Sequence, residues 1–194
     1  RSLAVMGGGP VGCELAQFFS RMGSQVTLVE RGEQLLGRVH PDAGKLLGEL
    51  FAEEGIDVRI GVGIERAEPS GVRLHLSDGS TLETERLLIA TGRRPNVERL
   101  GLDELGLQIS GRGVEVDERL RAAEDVWAIG DVTGVAQFTH VGKYQARVAA
   151  ADMANRHAKA DYRAIPAGIF TDPEVATVGR TDGDDLVSAR LELS

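Results

Sequence analysis

The first sixty residues combine short apolar strands with longer stretches in which apolar residues recur at helical spacing. A strand begins at Leu3 and runs into a glycine-rich turn, and the helix that follows can end at Gly23. A second strand covers residues 25–29, a second helix begins at Pro41, and a third strand covers residues 56–60. This alternation predicts an α/β fold with a Rossmann-like, three-layer arrangement of sheet and helices. The apolar residues that recur on one face of the first helix are Val11, Leu15, Phe18, Phe19 and Met22.

The spacing changes after the third strand, where apolar and polar residues alternate from 72 to 76. The Asp78-Gly79 pair supplies a tight turn, and the chain returns through residues 81–84. This pattern predicts an antiparallel β-meander rather than another crossover helix. A short apolar strand, residues 86–90, follows the meander.

The chain after this strand is irregular and rich in glycine, and we place a domain crossing within residues 106–113. A new strand begins at Val114, and residues 126–129 form another strand, which their composition predicts to be buried. An alanine-rich helix is predicted over residues 143–155, and Pro166 opens the last segment.

Composition narrows the range of partners and compartments. The chain has 194 residues and a net charge of −8 without a block of Lys or Arg, which disfavours nucleic acid or a membrane surface as a partner. No apolar run approaches the length that spans a bilayer. The single cysteine, Cys13, excludes an internal disulfide and is interpreted as a packing residue, with a reactive thiol as the alternative. This cysteine usage favours a reducing, cytoplasmic location, and no metal site is predicted.

The glycine-rich turn carries the clearest chemistry in the sequence. Gly7 permits a sharp turn off the strand, Gly9 lets the backbone approach a pyrophosphate, and Gly12 lets the helix pack close to the strand. The helix begins with Pro10 and Val11, and its N-terminus offers free N–H groups and a positive dipole end to phosphates. The order strand, glycines, helix, strand and acid therefore predicts a dinucleotide site. A purely steric glycine turn is the alternative.

Glu30 and Arg31 bear on the choice of dinucleotide. Glu30 lies close to the spacing at which a carboxylate reaches the adenosine ribose, although it also fits an ordinary solvated residue at a strand end. Its charge would repel a 2′-phosphate, which favours NAD. The Arg31 guanidinium could bind that phosphate, so NADP stays possible.

Four motifs in order resemble those of the pyridine nucleotide-disulfide oxidoreductases, which include lipoamide dehydrogenase, glutathione reductase and mercuric reductase. They are GGGPVGCELA (7–16), LLIATGRRPN (87–96), VWAIGDV (126–132) and FTDPEVATVG (170–179). The resemblance covers essentially the whole chain. It implies an NAD(P)-binding domain that contains the meander, part of an FAD-binding domain and the start of an α+β dimerisation domain. Their expected bounds are 1–111, 112–158 and 159–194.

The resemblance also assigns roles to single residues. It implies the NAD(P) pyrophosphate at the three motif glycines, the adenosine ribose at Glu30, and the nicotinamide near Thr91 and Gly92. Asp131, which follows Gly130, matches an aspartate that hydrogen-bonds the flavin ribityl chain. An aspartate that only caps a turn or helix is the alternative for this position.

Glu14 and His140 carry two further expectations. Glu14 matches a catalytic glutamate that, in the family, pairs with a lysine beside the flavin when nicotinamide enters. Without the resemblance it would be a first-turn carboxylate stabilised by the helix dipole. His140 precedes a helix at a place where the family often has a histidine near the flavin, and a structural histidine is the alternative.

The sequence departs from the family pattern in three main places. We expect that the first FAD-binding segment is missing before Leu3, together with the redox cysteine pair that it would carry. The interface domain, with its catalytic histidine and glutamate, would continue beyond Ser194. Ala122 is a smaller departure. The family usually has a threonine at this position, so we expect one flavin contact to be weaker.

These observations predict the central portion of a flavin-dependent oxidoreductase that transfers hydride between NAD(P)H and FAD. A disulfide-type acceptor would be reached through cysteines outside this chain, and the sequence does not identify the acceptor itself. The parent protein is expected to be a homodimer. A non-catalytic NAD(H)-binding module is the alternative, while the meander and the 126–132 motif argue against a single-cofactor dehydrogenase.

Overall fold

The computed structural model describes residues 1–68 and 72–179 of the chain. Contacts group the chain into two compact units. The first unit contains residues 1–92 and the segment that begins at Pro166, and the second contains residues 93–165. The domain bounds predicted at residues 111 and 158 stay predictions, because a division into compact units does not show where a cofactor binds. The predicted dimerisation domain from residue 180 onward lies outside the described residues.

The helices and strands of the described residues have the following bounds. In chain order they are β1 (Ser2–Met6), α1 (Pro10–Arg21), β2 (Gln25–Glu30), α2 (Pro41–Glu53), β3 (Asp57–Ile60), β4 (Ile64–Glu68), β5 (Arg73–Leu76), β6 (Thr81–Glu83), β7 (Arg86–Ile89), β8 (Ile109–Ser110), β9 (Gly113–Val114), β10 (Arg121–Ala123), β11 (Val126–Trp127), a 3₁₀-helix (Gly130–Thr133), α3 (Thr139–Met153), β12 (Pro166–Ile169) and β13 (Val175–Val178). None of the helices in the described ranges is long and apolar enough to pass through a bilayer.

A four-stranded parallel sheet, in the order β3-β2-β1-β7, forms the centre of the first unit. β1 pairs in parallel with β2 and with β7, so these three strands end at the same edge. Val5 and Leu28 are fully buried in this sheet and share one core with Leu47 and Phe51 of α2. The predicted Rossmann-like α/β fold is confirmed.

Helix α1 packs on the sheet through small residues. Gly12 and Cys13 are buried, whereas Phe18 and Met22 of the apolar stripe are 53% and 69% exposed. The cause is the closeness of the helix, because a Cβ atom at Gly12 would lie only 1.8 Å from the carbonyl oxygen of Gly7. Large side chains have no room at such a contact, so only part of the predicted apolar stripe packs: Phe19 lies against the core, whereas Phe18 and Met22 do not.

The meander predicted after β3 is confirmed as the three-stranded antiparallel sheet β4-β5-β6. Leu74 and Leu76 of β5 are buried and alternate with polar neighbours, as the spacing of two requires. The sequence analysis did not predict β4, because only Ile64 and Ala67 in this strand are apolar. The short strand predicted over residues 86–90 is β7, which joins the parallel sheet instead of the meander.

Two elements of the second unit differ from the prediction. Helix α3 begins at Thr139, four residues before the predicted start at 143. The strand predicted over residues 126–129 ends at Trp127, and the prediction that it is buried is wrong, because Ile129 is 41% exposed. Among the described strands β11 pairs only with the short β10, so it lies in a two-stranded sheet there and not in the middle of a larger one.

A buried carboxylate, Asp152, connects α3 with β10 and β11. Asp152 is 4% exposed, and its Oδ2 accepts hydrogen bonds from Arg121 Nε at 2.5 Å and from Trp127 Nε1 at 3.0 Å. Arg119 Nη1 lies 3.6 Å from the other oxygen. The hydrogen bond from Arg121 is the main reason why the pKa of Asp152 lies below its ordinary value.

We expect acid to weaken the second unit through Asp152. Its pKa is lower in the folded chain than in the unfolded chain, so its stabilising contribution is present above about pH 3.9 and is lost as the pH falls further. At neutral pH, Asp152→Asn should lower the midpoint of thermal unfolding. As the pH falls, the midpoint of the variant should then drop by less than the wild-type midpoint does. Circular dichroism over a pH series measures both effects. An acid profile of the variant that matches the wild-type profile would contradict this assignment.

Candidate functional site

The predicted cofactor residues of the first unit meet at the carboxyl edge of the parallel sheet. Gly7 follows β1, Glu30 ends β2, and Thr91 and Gly92 follow β7. The chain passes from β1 to β2 on one side, while β7 lies on the other side of β1. Open α/β sheets bind ligands at such a reversal, in the crevice beyond the carboxyl ends of the strands.

The protein's own packing requires two of the three motif glycines. Gly7 has a φ of +108°, and a Cβ atom there would lie 2.6 Å from the carbonyl oxygen of Ala90. A Cβ atom at Gly12 would lie 1.8 Å from the carbonyl oxygen of Gly7. Both contacts are with backbone, which cannot swing aside as a flexible side chain can. Gly7 and Gly12 are therefore needed for the turn from strand to helix.

Gly9 differs from both of these glycines. Its φ of −74° suits any residue, and apart from its two chain neighbours none of the described residues has a heavy atom within 4 Å of its Cβ position. Packing therefore gives no reason for a glycine here, and the space beside this backbone is open. A pyrophosphate that approaches the backbone closely supplies a reason. The residues present thus fit the dinucleotide that the motif implies.

The first turn of α1 offers hydrogen-bond donors beside that open space. Gly9 is the N-cap, Pro10 and Val11 follow it on the surface, and no described side chain caps this helix end. The start of α2 is different, because His40 Nδ1 accepts a hydrogen bond from the Asp42 N–H at 3.3 Å. The uncapped N–H groups and the helix dipole make the start of α1 suitable for an anion.

Glu30 is fixed to the glycine turn by its side chain. One carboxylate oxygen accepts a hydrogen bond from the Gly8 N–H at 2.5 Å, and the other accepts one from the Gly32 N–H at 2.5 Å. A negative charge is thereby held beside the turn at the end of β2. The Arg31 side chain lies beside the loop after β3, with its Nε 3.3 Å from the Cβ position of Gly63. The predicted roles of Glu30 at the ribose and Arg31 at a phosphate stay predictions.

The loop after β2 supports the glycine turn, a role that was not predicted from the sequence. Leu36 donates its N–H to the carbonyl oxygen of Gly8 at 2.8 Å, and a Cβ atom at Gly8 would lie 2.7 Å from Leu35 Cδ2. Leu36 is 2% exposed and has a φ of +52°, a strained value for a side chain of this size. The only sequence signal for this contact was the glycine at position 8, which the motif itself does not require.

Cys13 has the properties of a packing residue. It is fully buried, and its Sγ donates a hydrogen bond to the carbonyl oxygen of Gly8 at 3.2 Å. Burial, followed by the charges of Glu30 and Glu14, raises the pKa of Cys13 to about 12. A thiol that stays protonated and hidden is a poor nucleophile, so the structure favours packing over a reactive role.

The residues predicted to lie near nicotinamide occupy the β1 and β7 side of the crevice. Thr91 and Gly92 are exposed, and Gly92 has a φ of +125°. Gly12 lies beside the end of β7, because its Cβ position is 3.6 Å from Ala90 Cβ. Glu14 follows on the same helix and is half-buried, and its Oε1 accepts a hydrogen bond from the Phe170 N–H at 2.9 Å. Its predicted catalytic role stays a prediction.

In the second unit, Gly130 and Asp131 lie on a rigid 3₁₀ turn. Gln145, which is fully buried in α3, accepts a hydrogen bond from the Gly130 N–H at 2.5 Å. Its Nε2 donates to Thr133 Oγ1 at 3.2 Å and to Tyr162 Oη at 2.9 Å. The turn thus presents Asp131 to solvent from a fixed backbone, which suits a ligand rich in hydroxyl groups. Gln145 could not be recognised beforehand, because a polar residue in an alanine-rich helix usually faces water.

His140 and Arg93 also belong to the second unit and bear on the predicted flavin contacts. His140 is exposed and stacks on Phe138, with ring centres 5.2 Å apart. Arg93 Nη1 lies 3.9 Å from Asp131 Oδ2, and exposed pairs of this kind contribute little stability. The predicted flavin contacts at Gly130, Asp131 and His140 are therefore accessible, and their roles stay predictions.

A cleft of about 920 Å³ lies between α2 and β3, and we refer to it as the α2–β3 cleft. Its lining includes Glu33, Lys45, Glu49 and Asp57, and none of the predicted cofactor residues. Size alone does not decide where a ligand binds. The glycine turn has the open backbone, the free helix start and the fixed carboxylate that a dinucleotide requires, so we place the candidate site there.

A family model described as pyridine nucleotide-disulphide oxidoreductase matches residues 1–157. The chain belongs to this family. Among curated proteins, the dihydrolipoyl dehydrogenase of Chlamydia muridarum is 38% identical over 182 residues, which cover 92% of this chain and 39% of that protein. The enzyme of the same name from Geobacillus stearothermophilus is 31% identical over 204 residues, which cover 98% of this chain and 43% of that protein.

Solved structures of the family agree with the fold. LpdA from Mycobacterium tuberculosis has a TM-score of 0.85 and 31% identity, over 92% of this chain and 40% of that one. The HOCl-induced flavoprotein disulfide reductase RclA from Escherichia coli, as its Cu(II) complex, has a TM-score of 0.85 and 30% identity, over 93% of this chain and 43% of that one. The predicted family is confirmed. The chain spans about two fifths of the length of these relatives.

Two alanine variants should separate the steric glycine from the ligand-facing glycine. Gly12→Ala should lower the thermal midpoint strongly, since overpacking of this kind costs about 1–3 kcal/mol or more. Gly9→Ala should leave the midpoint nearly unchanged but weaken NADH binding about tenfold, because a methyl group enters the space of the pyrophosphate. Thermal unfolding and calorimetric titration with NADH measure these effects. Wild-type affinity in Gly9→Ala would argue against a ligand at this turn.

Proposed function

We propose that this chain binds NAD(P)H at the carboxyl edge of its parallel sheet. The observation that carries the proposal is Gly9, whose backbone is open although nothing in the fold requires a glycine there. The N–H of Gly9 and those of Val11 and Gly12, beyond Pro10, would hold the pyrophosphate at the start of α1. Glu30 would accept hydrogen bonds from the adenosine ribose while it keeps its bonds to Gly8 and Gly32.

We further propose that the parent protein is a flavin-dependent oxidoreductase in which hydride passes between this nicotinamide and FAD. The family membership and the exposed Asp131 on its fixed turn support this proposal. FAD would supply the redox-active ring. The chain itself would orient the two cofactors, with Asp131 on the ribityl hydroxyls and Glu14 at the nicotinamide end.

The onward acceptor is proposed to be a disulfide or another thiol-based group. The relatives are named as dihydrolipoyl dehydrogenases and as a flavoprotein disulfide reductase, which supports this class of acceptor. Cys13 does not fit the role of a redox cysteine, since it is buried and remains protonated. Cysteines elsewhere in the parent protein would therefore carry the electrons, and we propose that the parent works as a cytoplasmic homodimer.

A non-catalytic NAD(H)-binding module is the second candidate. It is favoured by one observation, namely that the glycine turn, Glu30 and Thr91 all belong to the first compact unit. That unit contains the whole proposed dinucleotide site without any of the flavin residues. Purification of the parent protein discriminates the two functions, because this chain spans only about two fifths of the length of its relatives: bound FAD that Asp131→Ala weakens supports the oxidoreductase. A parent protein that binds NADH but carries no FAD favours the module.

Glu30 should make the site select NADH over NADPH. We expect NADH to bind about tenfold more tightly, because the fixed carboxylate repels a 2′-phosphate, and a factor of ten corresponds to about 1.4 kcal/mol. Glu30→Gln should reduce this ratio, with thermal unfolding as the control for the fold. Calorimetric titrations with both reduced cofactors measure the ratio. Tighter binding of NADPH by the wild-type chain would overturn the preference and point to Arg31 as a phosphate ligand.

A further inference from the structure

Three polar side chains on one face of α1 bind a segment that lies far away in the sequence. Glu14, Gln17 and Arg21 are three and then four residues apart, which places them on the same side of the helix. They contact the backbone or side chains of residues 170–172, between β12 and β13. The helix that begins at the proposed dinucleotide site is therefore attached directly to this loop within the first unit.

Gln17 makes the strongest of these attachments. Its Oε1 accepts a hydrogen bond from the Asp172 N–H at 2.8 Å, and its Nε2 donates to the Asp172 carbonyl oxygen at 2.8 Å. Nε2 also donates to Glu54 Oε1 at 3.0 Å. Gln17 is only 4% exposed, so water cannot readily replace these partners. The side-chain amide holds the Asp172 backbone as a neighbouring strand would.

Arg21 contributes less to the attachment. Its guanidinium bonds to Asp172 Oδ2 at 2.8 Å and to Glu54 Oε1 at 2.6 Å, but its side chain is 47% exposed. Solvent screens exposed ion pairs, and many of them add little to stability. Arg21 also binds the side chain of Asp172 rather than its backbone. Loss of Arg21 therefore leaves the path of the loop unchanged.

The bonds between Gln17 and Asp172 help to set where the Phe170 N–H points. Phe170 is 74% exposed, so packing of its ring does not fix its backbone. The segment is instead held on one side by Ile169, which is 4% exposed in the core, and on the other side by the buried Thr171 together with Asp172, whose backbone is bound by Gln17. Between these two anchors, the Phe170 N–H donates to Glu14 Oε1 at 2.9 Å.

We propose that Gln17 is a positioning residue for the nicotinamide half of the site. Through the Asp172 backbone it places the Phe170 N–H, which orients the carboxylate of Glu14. This inference rests on the proposed function, in which Glu14 lies at the nicotinamide end. Glu30 and Gly8, which serve the adenosine end, have no bond to Gln17 among the described contacts. The effect of Gln17 is therefore confined to one half of the dinucleotide.

The test compares NADH with ADP-ribose, which lacks only the nicotinamide ring. Calorimetry of the purified chain should show that Gln17→Met, an apolar change of similar size, weakens NADH binding about fivefold. ADP-ribose affinity should stay within about twofold of wild type. Arg21→Gln is the matched control, because it removes a neighbouring attachment on the same helix face. It should change neither affinity.

Gln17→Glu keeps the proposal testable if Gln17→Met fails to fold. It retains an acceptor for the Asp172 N–H but lacks both donors, and it should show the same selective loss of NADH affinity. Equal losses for both ligands, or no loss for either, would overturn the positioning role. A wild-type chain that binds neither ligand would overturn the proposed function as well, so the two failures are distinguishable.

Discussion

The close approach of α1 to the carboxyl end of the sheet is the constraint on which the site depends. Gly12 lies directly on the carbonyl group of Gly7, and Gly7 lies on that of Ala90, so strand, helix and the end of β7 meet without intervening side chains. This contact aims the start of α1 into the crevice between β1 and β7. It also requires small residues where the helix meets the turn, at Gly12 and Cys13, while Phe18 remains exposed.

Hydrogen bonds also hold the glycine turn and the loop beside Glu14 in place. Glu30 holds the Gly8 N–H from one side, and Leu36 holds the Gly8 carbonyl oxygen from the other, so the turn is fixed before any ligand binds. Such preorganisation lowers the ordering cost of binding. On the opposite flank of α1, Gln17 anchors the loop that contacts Glu14. The two ends of a bound dinucleotide would thus depend on separate supports, one for the adenosine half and one for the nicotinamide half.

The sequence predicted the parts of this site that are local in the chain. Gly7, Gly9, Gly12 and Glu30 belong to one strand-helix-strand unit, and their spacing alone indicates the turn. Gln17 could not be recognised, because its partner Asp172 is 155 residues away and nothing in the sequence specifies that contact. Gln145 was missed for the same reason, since its burial depends on how α3 meets the Gly130 turn. The strand predicted over 126–129 was too long because its composition resembles a buried strand, whereas its single short neighbour leaves Ile129 exposed.

The central claim is that the glycine turn, and not the α2–β3 cleft, binds the dinucleotide. Backbone amide chemical shifts of the isotope-labelled chain during titration with NADH test it most directly. The account predicts that the largest changes fall on Val11 and Gly12 at the start of α1 and on Thr91 and Gly92 after β7, with smaller changes at Gly8. Changes confined to residues that line the α2–β3 cleft, such as Lys45 and Asp57, would contradict it.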